Sequence, residues 1–145
     1  MVAQTADQQL HKAASEGSVS AVREALQNGA EVNARGEFGD TALNMAAEHG
    51  HLQIVEKLLA SGADIENLGG ADKTPLMSAA FAGNIGVVRL LLEKGAQISD
   101  DLLQSVQLKV NILKENAESG MVRPDAVEAW RGFLGMLIEA RQRQQ

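Results

Sequence analysis

Glu48, His49 and His51, near the middle of the chain, have side chains of the types that bind transition metals. Imidazole and carboxylate groups are common zinc ligands, so a metal site is one hypothesis for this segment. However, the two histidines flank Gly50, and residues two apart do not share a face of a helix. The sequence suggests no third ligand to join them. We therefore expect the histidines to be structural or surface residues, and we predict no metal and no cofactor.

Other signals of catalysis are equally weak. Gly69-Gly70 leads into Asp72 rather than into the Gly-Lys-hydroxyl run of a phosphate-binding loop. No serine lies in a nucleophile elbow. The chain has no cysteine, which excludes a thiolate zinc site, a cysteine nucleophile and a disulfide framework. The acidic pair Asp100-Asp101 is interpreted as a helix cap and dipole partner. We predict that the protein is not an enzyme.

The composition is that of a globular protein. The chain has 145 residues, of which 45% are apolar and 22% charged, enough for one domain with a buried core. Its net charge of -6 argues against nucleic acid and membrane partners, because both favour an excess of Lys and Arg. The start, MVAQTADQQL, lacks the features of a secretory signal, and no apolar stretch approaches the ~18 residues of a membrane helix. We expect a cytoplasmic protein that is a monomer when unbound.

The elements that would position any functional group recur along the chain. The segment Thr41–Asn67 contains two stretches with helical apolar spacing, and a glycine closes each of them. The same pattern, offset by about 33 residues, appears before and after this segment, which indicates a stacked-repeat architecture. The matching positions include the paired alanines Ala13-Ala14, Ala46-Ala47 and Ala79-Ala80 and the glycines Gly17, Gly50 and Gly83.

Each copy predicts two short helices. Glycine ends them because it enters the left-handed conformation without penalty. Thr74 and Pro75 are a cap followed by a proline at the first helical position, and Ser18, His51 and Asn84 occupy the cap position of the second helices. The predicted buried faces of the second helices are Val19, Val22, Ala25 and Leu26, then Leu52, Val55, Leu58 and Leu59, then Ile85, Val88, Leu91 and Leu92.

Both ends of the chain depart from this pattern. Residues 1–6 are predicted to be a frayed lead-in, and the period is lost after Ser99. Helical spacing instead predicts a long helix over residues 101–118 that Gly120 ends, and another that Pro124 opens. The predicted buried face of that last helix is Val127, Trp130, Leu134, Leu137 and Ile138.

The two long helices are interpreted as a diverged fourth layer that closes the stack. Terminal repeats of solenoids are atypical, because one of their sides meets water. Gly132 and Gly135 lie inside the last helix, where each costs about 1 kcal/mol relative to alanine. They imply either close contact with the previous helix or a weak helix.

Over about residues 5–99 the chain resembles the ankyrin repeat family, and TALNMAAEHGHLQIVEKLLASGADIEN and TPLMSAAFAGNIGVVRLLLEKGAQI carry the resemblance. It implies an all-α ankyrin-repeat solenoid of helix-turn-helix units with projecting β-turns, capped by a C-terminal helical hairpin. The single domain, 1–145, would comprise repeats at about 5–34, 35–67 and 68–99 and a cap at 100–145.

The sequence departs from that family in two places. The family's threonine-proline-leucine-histidine run reads TPLM in the third copy and TALN in the second. The aspartate usual in the turn is replaced by Gly36 and Gly69, which implies turns less rigid than the family's norm. His51 is at a position where the family commonly has a structural histidine.

The resemblance also implies a binding face. In ankyrin repeats the turn tips and the exposed sides of the first helices line a concave face that holds partner proteins. The large apolar groups Phe38, Leu68 and Phe81 form an exposed patch there, or else Leu68 or Phe81 packs into the core. Carried over by position, the face comprises Arg35, Glu37, Phe38, Asp40, Glu48, His49, Leu68, Ala71, Lys73, Phe81 and Ala82, bordered by Asp7, Ser15 and Glu16.

Two functions from different classes remain open. The leading hypothesis is a noncatalytic protein–protein interaction module, an adaptor or regulatory partner that binds another protein through this face. The alternative is a structural or oligomerisation protein whose C-terminal helix pair mediates self-association through the apolar face of residues 126–138. On a shared repeat scaffold, a few surface positions decide which partner is bound.

Overall fold

The computed structural model describes residues 3–145, and within that range the regular secondary structure is helical, without a strand. One isolated antiparallel bridge joins Arg35 to Thr41. The all-α prediction is therefore confirmed. The helices are α1 (Ala6–Glu16), α2 (Val19–Gln27), α3 (Ala42–Glu48), α4 (Leu52–Ala60), α5 (Pro75–Ala82), α6 (Ile85–Glu93), α7 (Asp100–Glu118) and α8 (Pro124–Gln144), with a short 3-10 helix at Gly70–Asp72.

The chain forms two compact units, one ending at Ala96 and the other comprising Gln97–Gln145. The first unit contains three helix pairs, which we call repeat 1 (α1, α2), repeat 2 (α3, α4) and repeat 3 (α5, α6). The first helices pack on one another in the order α1, α3, α5, and the second helices in the order α2, α4, α6. The paired alanines are buried, which lets neighbouring helices approach closely. That the second unit caps repeat 3 stays a prediction.

A threonine starts the first helix of every repeat. The hydroxyls of Thr5, Thr41 and Thr74 each accept a hydrogen bond from the backbone N–H three residues on. In α1 the side chain of Gln8 also accepts a hydrogen bond from the backbone N–H of Thr5, which completes a capping box. The predicted frayed lead-in is therefore wrong for residues 5 and 6. Residues 1 and 2 lie outside the described part of the chain.

Ser18, His51 and Asn84 are the N-cap residues of the second helices, as predicted. Ser18 caps α2 with its hydroxyl, but the side chains of His51 and Asn84 make no capping hydrogen bond. His51 Nε2 instead lies 3.0 Å from the carbonyl oxygen of Ser15, and Asn84 Nδ2 donates to the carbonyls of Ala47 and Glu48. These side chains therefore stabilise the preceding repeat rather than the helix they start.

The buried faces of α4 and α6 are rotated from the predicted ones. Leu52 and Ile85 are exposed, whereas Ile54, Val87 and Leu90 are buried. The arc that residues 54, 55 and 58 share on a helical wheel does not include position 52, and the same holds one repeat later. Leu59 and Leu92 are only half-buried, at the margin of the arc. Apolar residues occur at spacings of three and four on both the predicted and the observed face of each helix, and packing between helices decided which face is buried.

The second unit is an antiparallel pair of long helices. Two contacts link the start of α7 to the end of α8. Asp100 forms an ion pair with Arg141, and the backbone N–H of Ile98 donates a hydrogen bond to Gln144 Oε1. The cap of α7 is Ser99 rather than the predicted acidic pair, but Asp100 and Asp101 lie in the first turn of the helix, where the dipole interpretation places them. Ile138, predicted buried, is exposed, and Trp130 is half-buried. The buried side chains are Leu102, Val106 and Val110 on α7 and Val127, Phe133, Leu134 and Leu137 on α8.

Gly132 and Gly135 do not mark a close helix–helix contact. A Cβ atom added at either position meets nothing within 4 Å, and both residues lie inside the continuous helix α8. Of the two alternatives, close contact with the previous helix is therefore excluded at these positions.

We expect Gly132→Ala and Gly135→Ala each to raise the free energy of unfolding by up to about 1 kcal/mol, because alanine loses less backbone entropy in a helix. Urea denaturation followed by circular dichroism measures this. As a control, Gly120→Ala should destabilise, because Gly120 ends α7 with a φ of 75°. Unchanged or lower midpoints for both helix variants would contradict the expectation.

Candidate functional site

One cleft in the first unit brings together six of the eleven predicted binding residues. We call it the repeat 1–2 cleft, and it encloses about 830 Å³ between repeat 1 and the turn that precedes α3. The predicted residues that line it are Arg35, Glu37, Phe38, Asp40, Glu48 and His49. Repeat 1 contributes Thr5, Asp7, Gln8, His11, Lys12 and Ser15, and Gly36 and Met45 complete the lining.

A tight turn holds one wall of the cleft. The backbone N–H of Gly36 donates to the carbonyl of Asp40 at 2.8 Å, which closes the loop between the bridged residues Arg35 and Thr41. Gly39 has a φ of 87°, a conformation that favours glycine. The turn projects Phe38 into solvent, where 80% of its surface is exposed. Hydrogen bonds therefore fix the backbone of the turn, while its largest side chain, that of Phe38, lies outside the core.

The charges around the cleft are mostly not neutralised by one another. Asp7 Oδ1 accepts the N–H of Glu31, and Asp40 Oδ1 accepts the N–H of Gly70. The side chains of Glu37 and Glu48 are exposed and form no ion pair within residues 3–145. Two of the four carboxylates are thus fixed by backbone amides, and two point to solvent.

The floor of the cleft contains a buried histidine. His11 is only 9% exposed, and its Nε2 lies 2.8 Å from the carbonyl oxygen of Ala34. Because a carbonyl oxygen only accepts, Nε2 carries the proton, and in the neutral imidazole Nδ1 is then an acceptor. A Cβ at Gly36 would be 3.4 Å from that Nδ1 and 3.3 Å from Met45 Cε. The absent side chain at Gly36 therefore opens the floor toward Nδ1.

The other five predicted residues do not line this cleft: Leu68, Ala71, Lys73, Phe81 and Ala82. Among them, Lys73 places its Nζ 5.6 Å from the ring centroid of Phe81, a cation–π arrangement. Phe81 and Leu68 are exposed by 40% and 42%, so neither is fully buried in the core. Ala71 and its neighbour Asp72 both have positive φ angles, 58° and 55°, which are unusual for non-glycine residues. The predicted face therefore divides into two adjacent surfaces.

Close contact between two turns explains the glycine at position 69, where the family usually has aspartate, and the glycine beside it. A Cβ at Gly69 would be 2.5 Å from Asp40 Oδ1, and one at Gly70 would be 2.7 Å from the carbonyl oxygen of Phe38. Only glycine lets the turn of repeat 3 come this near to the turn of repeat 2. These contacts do not agree with the expectation of a looser turn at Gly69.

Sequence reasoning missed several cleft residues. Gln8, His11 and Lys12 were not predicted, because repeat 1 was treated as a border of the face rather than as a wall of it. Met45, on α3 of repeat 2, was not predicted either. The helical register of α1 offered a signal, since positions 8, 11, 12 and 15 share one side of that helix. Glu16, predicted at the border, lines a different cavity of about 350 Å³ with Gln9 and Glu24.

The histidines singled out for possible chemistry have structural contacts. The rings of His49 and His51 stack with centroids 6.0 Å apart, because the turn at Gly50 brings them together. His49 Nδ1 lies 2.8 Å from the carbonyl oxygen of Met45, and His51 binds repeat 1 as described. Within the described residues, no three His, Cys, Asp or Glu side chains are grouped so that they could hold a metal ion.

None of the helices in residues 3–145 has the length and apolar character that crossing a membrane requires.

Comparison with known proteins assigns the repeats. A family model described as "Ankyrin repeats (3 copies)" matches residues 10–101, which is more than half of the chain. The matched segment begins inside α1 and includes all of repeats 2 and 3. No curated protein matches the chain in sequence.

Proposed function

The chain belongs to the ankyrin repeat family, and from this premise we propose that it is a noncatalytic adaptor or regulatory protein. Ankyrin repeats are generally protein–protein interaction modules. In this protein the partner would bind across the repeat 1–2 cleft, with Phe38 as its main anchor and the Phe81 surface as an extension. The partner is another protein, recognised by the side chains that the turns and first helices present.

The observation that carries this proposal is the exposure of Phe38. A phenylalanine side chain that stays in water forgoes about 1.5–3 kcal/mol of burial free energy. Phe38 is 80% exposed on a turn whose backbone is closed by hydrogen bonds, so folding of the chain does not use this side chain. Exposed aromatic side chains beside a cleft and ringed by charges are typical of binding anchors.

We expect Phe38→Ala to weaken partner binding by about 2 kcal/mol, which is roughly a 30-fold increase in Kd. The unfolding midpoint should stay nearly unchanged, because Phe38 contributes little to the core. Phe81→Ala should weaken binding less and lose some stability, since Phe81 is partly covered and lies under Lys73. A partner recovered from native cells by affinity purification would be titrated calorimetrically against both variants.

The matched control is Glu56→Ala, an exposed residue of α4 that lies outside the cleft. It should bind with the affinity of the unmodified chain. Loss of binding in this control, with both phenylalanine variants unaffected, would place the partner on the opposite face and reject the proposal.

A second function, self-association through α7 and α8, is supported by a separate observation. Leu108 and Ile112 are 59% and 46% exposed on α7, and Ile138 is 42% exposed on α8. An open groove of about 370 Å³ beside them is lined by leucine, isoleucine and uncharged amide side chains. An apolar surface of this kind is compatible with an interface between copies.

On this second hypothesis, analytical ultracentrifugation would detect a concentration-dependent dimer, and Leu108→Asp would abolish it because a desolvated carboxylate opposes burial. Lys114→Asp, an exposed change on the same helix outside the groove, is the control. A monomer at every concentration measured would reject self-association and leave the adaptor proposal unaffected.

A further inference from the structure

We infer that the repeat 1–2 cleft takes a basic segment of the partner protein, in which Lys or Arg side chains flank an apolar one. This inference rests on the proposed function and specifies the chemistry of the partner. It is carried by the charges of the cleft, by a hydrogen-bond acceptor on its floor and by the space above Gly36.

The charged side chains of the cleft are predominantly acidic. Asp7, Glu37, Asp40 and Glu48 face two cationic side chains, Lys12 and Arg35, and none of the six forms an ion pair within the described part of the chain. The whole chain also carries a net charge of -6. A concave surface with an excess of one sign concentrates the opposite charge, since its low-dielectric walls focus the field. A basic segment is therefore attracted, and an acidic one is repelled.

Two of the acidic side chains, Asp7 and Asp40, are held in fixed positions. Asp7 and Asp40 line the cleft, and their carboxylates are held in place by the backbone N–H groups of Glu31 and Gly70. Glu37 and Glu48 have no side-chain partner within residues 3–145, so both are available to bind an incoming cation. Arg35 is occupied differently, because its Nη2 donates to Asn67 Oδ1 at 3.3 Å.

The cleft floor also presents a hydrogen-bond acceptor to a ligand. His11 is nine-tenths buried, its Nε2–H is used by Ala34, and no hydrogen bond to its Nδ1 is present in residues 3–145. That nitrogen is an acceptor that faces the space above Gly36. Guanidinium, ammonium and backbone N–H groups can satisfy it, whereas a carboxylate cannot. Floor and walls therefore favour the same kind of ligand.

Gly36 makes the acceptor accessible. Any side chain at this position would start within 3.5 Å of His11 Nδ1, Met45 Cε and the carbonyl of Asp40. The backbone at Gly36 does not have a positive φ, so space rather than conformation favours glycine here. Phe38 and Met45 supply the apolar surface beside the opening. An apolar side chain of the segment would pack there, between cations that reach the two free glutamates.

The test uses a phage-displayed library of random heptapeptides selected on the immobilised full chain. Selected peptides are then synthesised and titrated against purified variants. We expect them to contain more Lys and Arg than Asp and Glu, and to carry at least one large apolar residue. Their affinity should fall about tenfold or more for the double variant Glu37→Gln/Glu48→Gln and about tenfold for Gly36→Asn. Added salt should weaken binding to the unmodified chain.

The double variant Glu56→Gln/Glu93→Gln is the matched control, because it removes two exposed carboxylates from α4 and α6, outside the cleft. It should leave the affinity unchanged. If Gly36→Asn lowers the unfolding midpoint, Gly36→Ala replaces it, since one methyl group meets only the contacts at 3.3–3.5 Å.

Three outcomes would overturn the inference: selected peptides that are acidic or neutral, basic peptides that bind the glutamine variant as well as the unmodified chain, or no selected peptide that responds to position 36. Titration of the selected peptides against Phe38→Ala distinguishes failure of the basic-segment inference from failure of the proposed function. Neutral peptides that lose affinity on Phe38→Ala would reject the basic partner and keep the binding site. Peptides indifferent to both Phe38 and the glutamates would reject both.

Discussion

Gly17→Ala is expected to lower the free energy of unfolding by about 2–5 kcal/mol. Gly17 ends α1 with a φ of 86°, and an L-residue held in that region costs about 1–2 kcal/mol. The new Cβ would also lie 2.6 Å from His51 Cε1, so the imidazole must move away from the Ser15 carbonyl that it binds. Overpacking of this kind costs a further ~1–3 kcal/mol. Chemical denaturation in urea measures the sum.

Gly29→Ala separates the two contributions. Gly29 has a similar φ of 91°, but a Cβ there meets nothing within 4 Å, so only the backbone cost of about 1–2 kcal/mol should appear. In a His51→Ala background the clash is absent, and the cost of Gly17→Ala should fall to that of Gly29→Ala. If Gly17→Ala and Gly29→Ala lower the free energy of unfolding equally in the otherwise unmodified chain, the His51 side chain moves aside without an energetic cost.

Ala47→Leu is the second change with a large expected effect, a loss of about 1–3 kcal/mol. Ala47 has no exposed surface, and α3 packs against α1, α4 and α5 at once. The carbonyl of Ala47 also accepts a hydrogen bond from Asn84, so any shift of α3 disturbs the contact with repeat 3. Three added carbon atoms have no space there, and a lower urea midpoint at constant slope is the expected measurement.

The control for this change is Ala60→Leu, because Ala60 is an exposed residue near the end of α4. It should alter stability by no more than about 0.5 kcal/mol, as is usual for surface substitutions. A leucine tolerated at position 47 as well as at position 60 would mean that the first helices do not pack as closely as the structure indicates.

Local rules account for the parts of the fold that the sequence by itself determined. A threonine before α3 and α5, a glycine after most helices and paired alanines at a period of about 33 residues specify where elements begin, end and approach. Each rule depends on groups within a few residues of one another. The all-α ankyrin solenoid that the repeats predicted is confirmed for this reason.

Contacts between repeats decided the rest. Apolar spacing on α4 allowed two faces, and neighbouring helices selected the one that buries Ile54 and exposes Leu52. His51 and Asn84 occupied cap positions, yet their side chains found carbonyl groups of the preceding repeat instead. Gly69 was expected to loosen its turn, whereas the carboxylate of Asp40 fills the space a side chain would need.

The candidate site shows the same division between local and tertiary information. The repeat register placed Phe38 on a projecting turn, and that exposure needs no knowledge of distant residues. The wall formed by Gln8, Lys12 and His11 required the stacking of α1 on α3, because those residues lie more than twenty positions from the turn they face. Sequence periodicity determines which side of each helix faces outward, and only packing of one repeat on the next determines which outward sides meet to form a cleft.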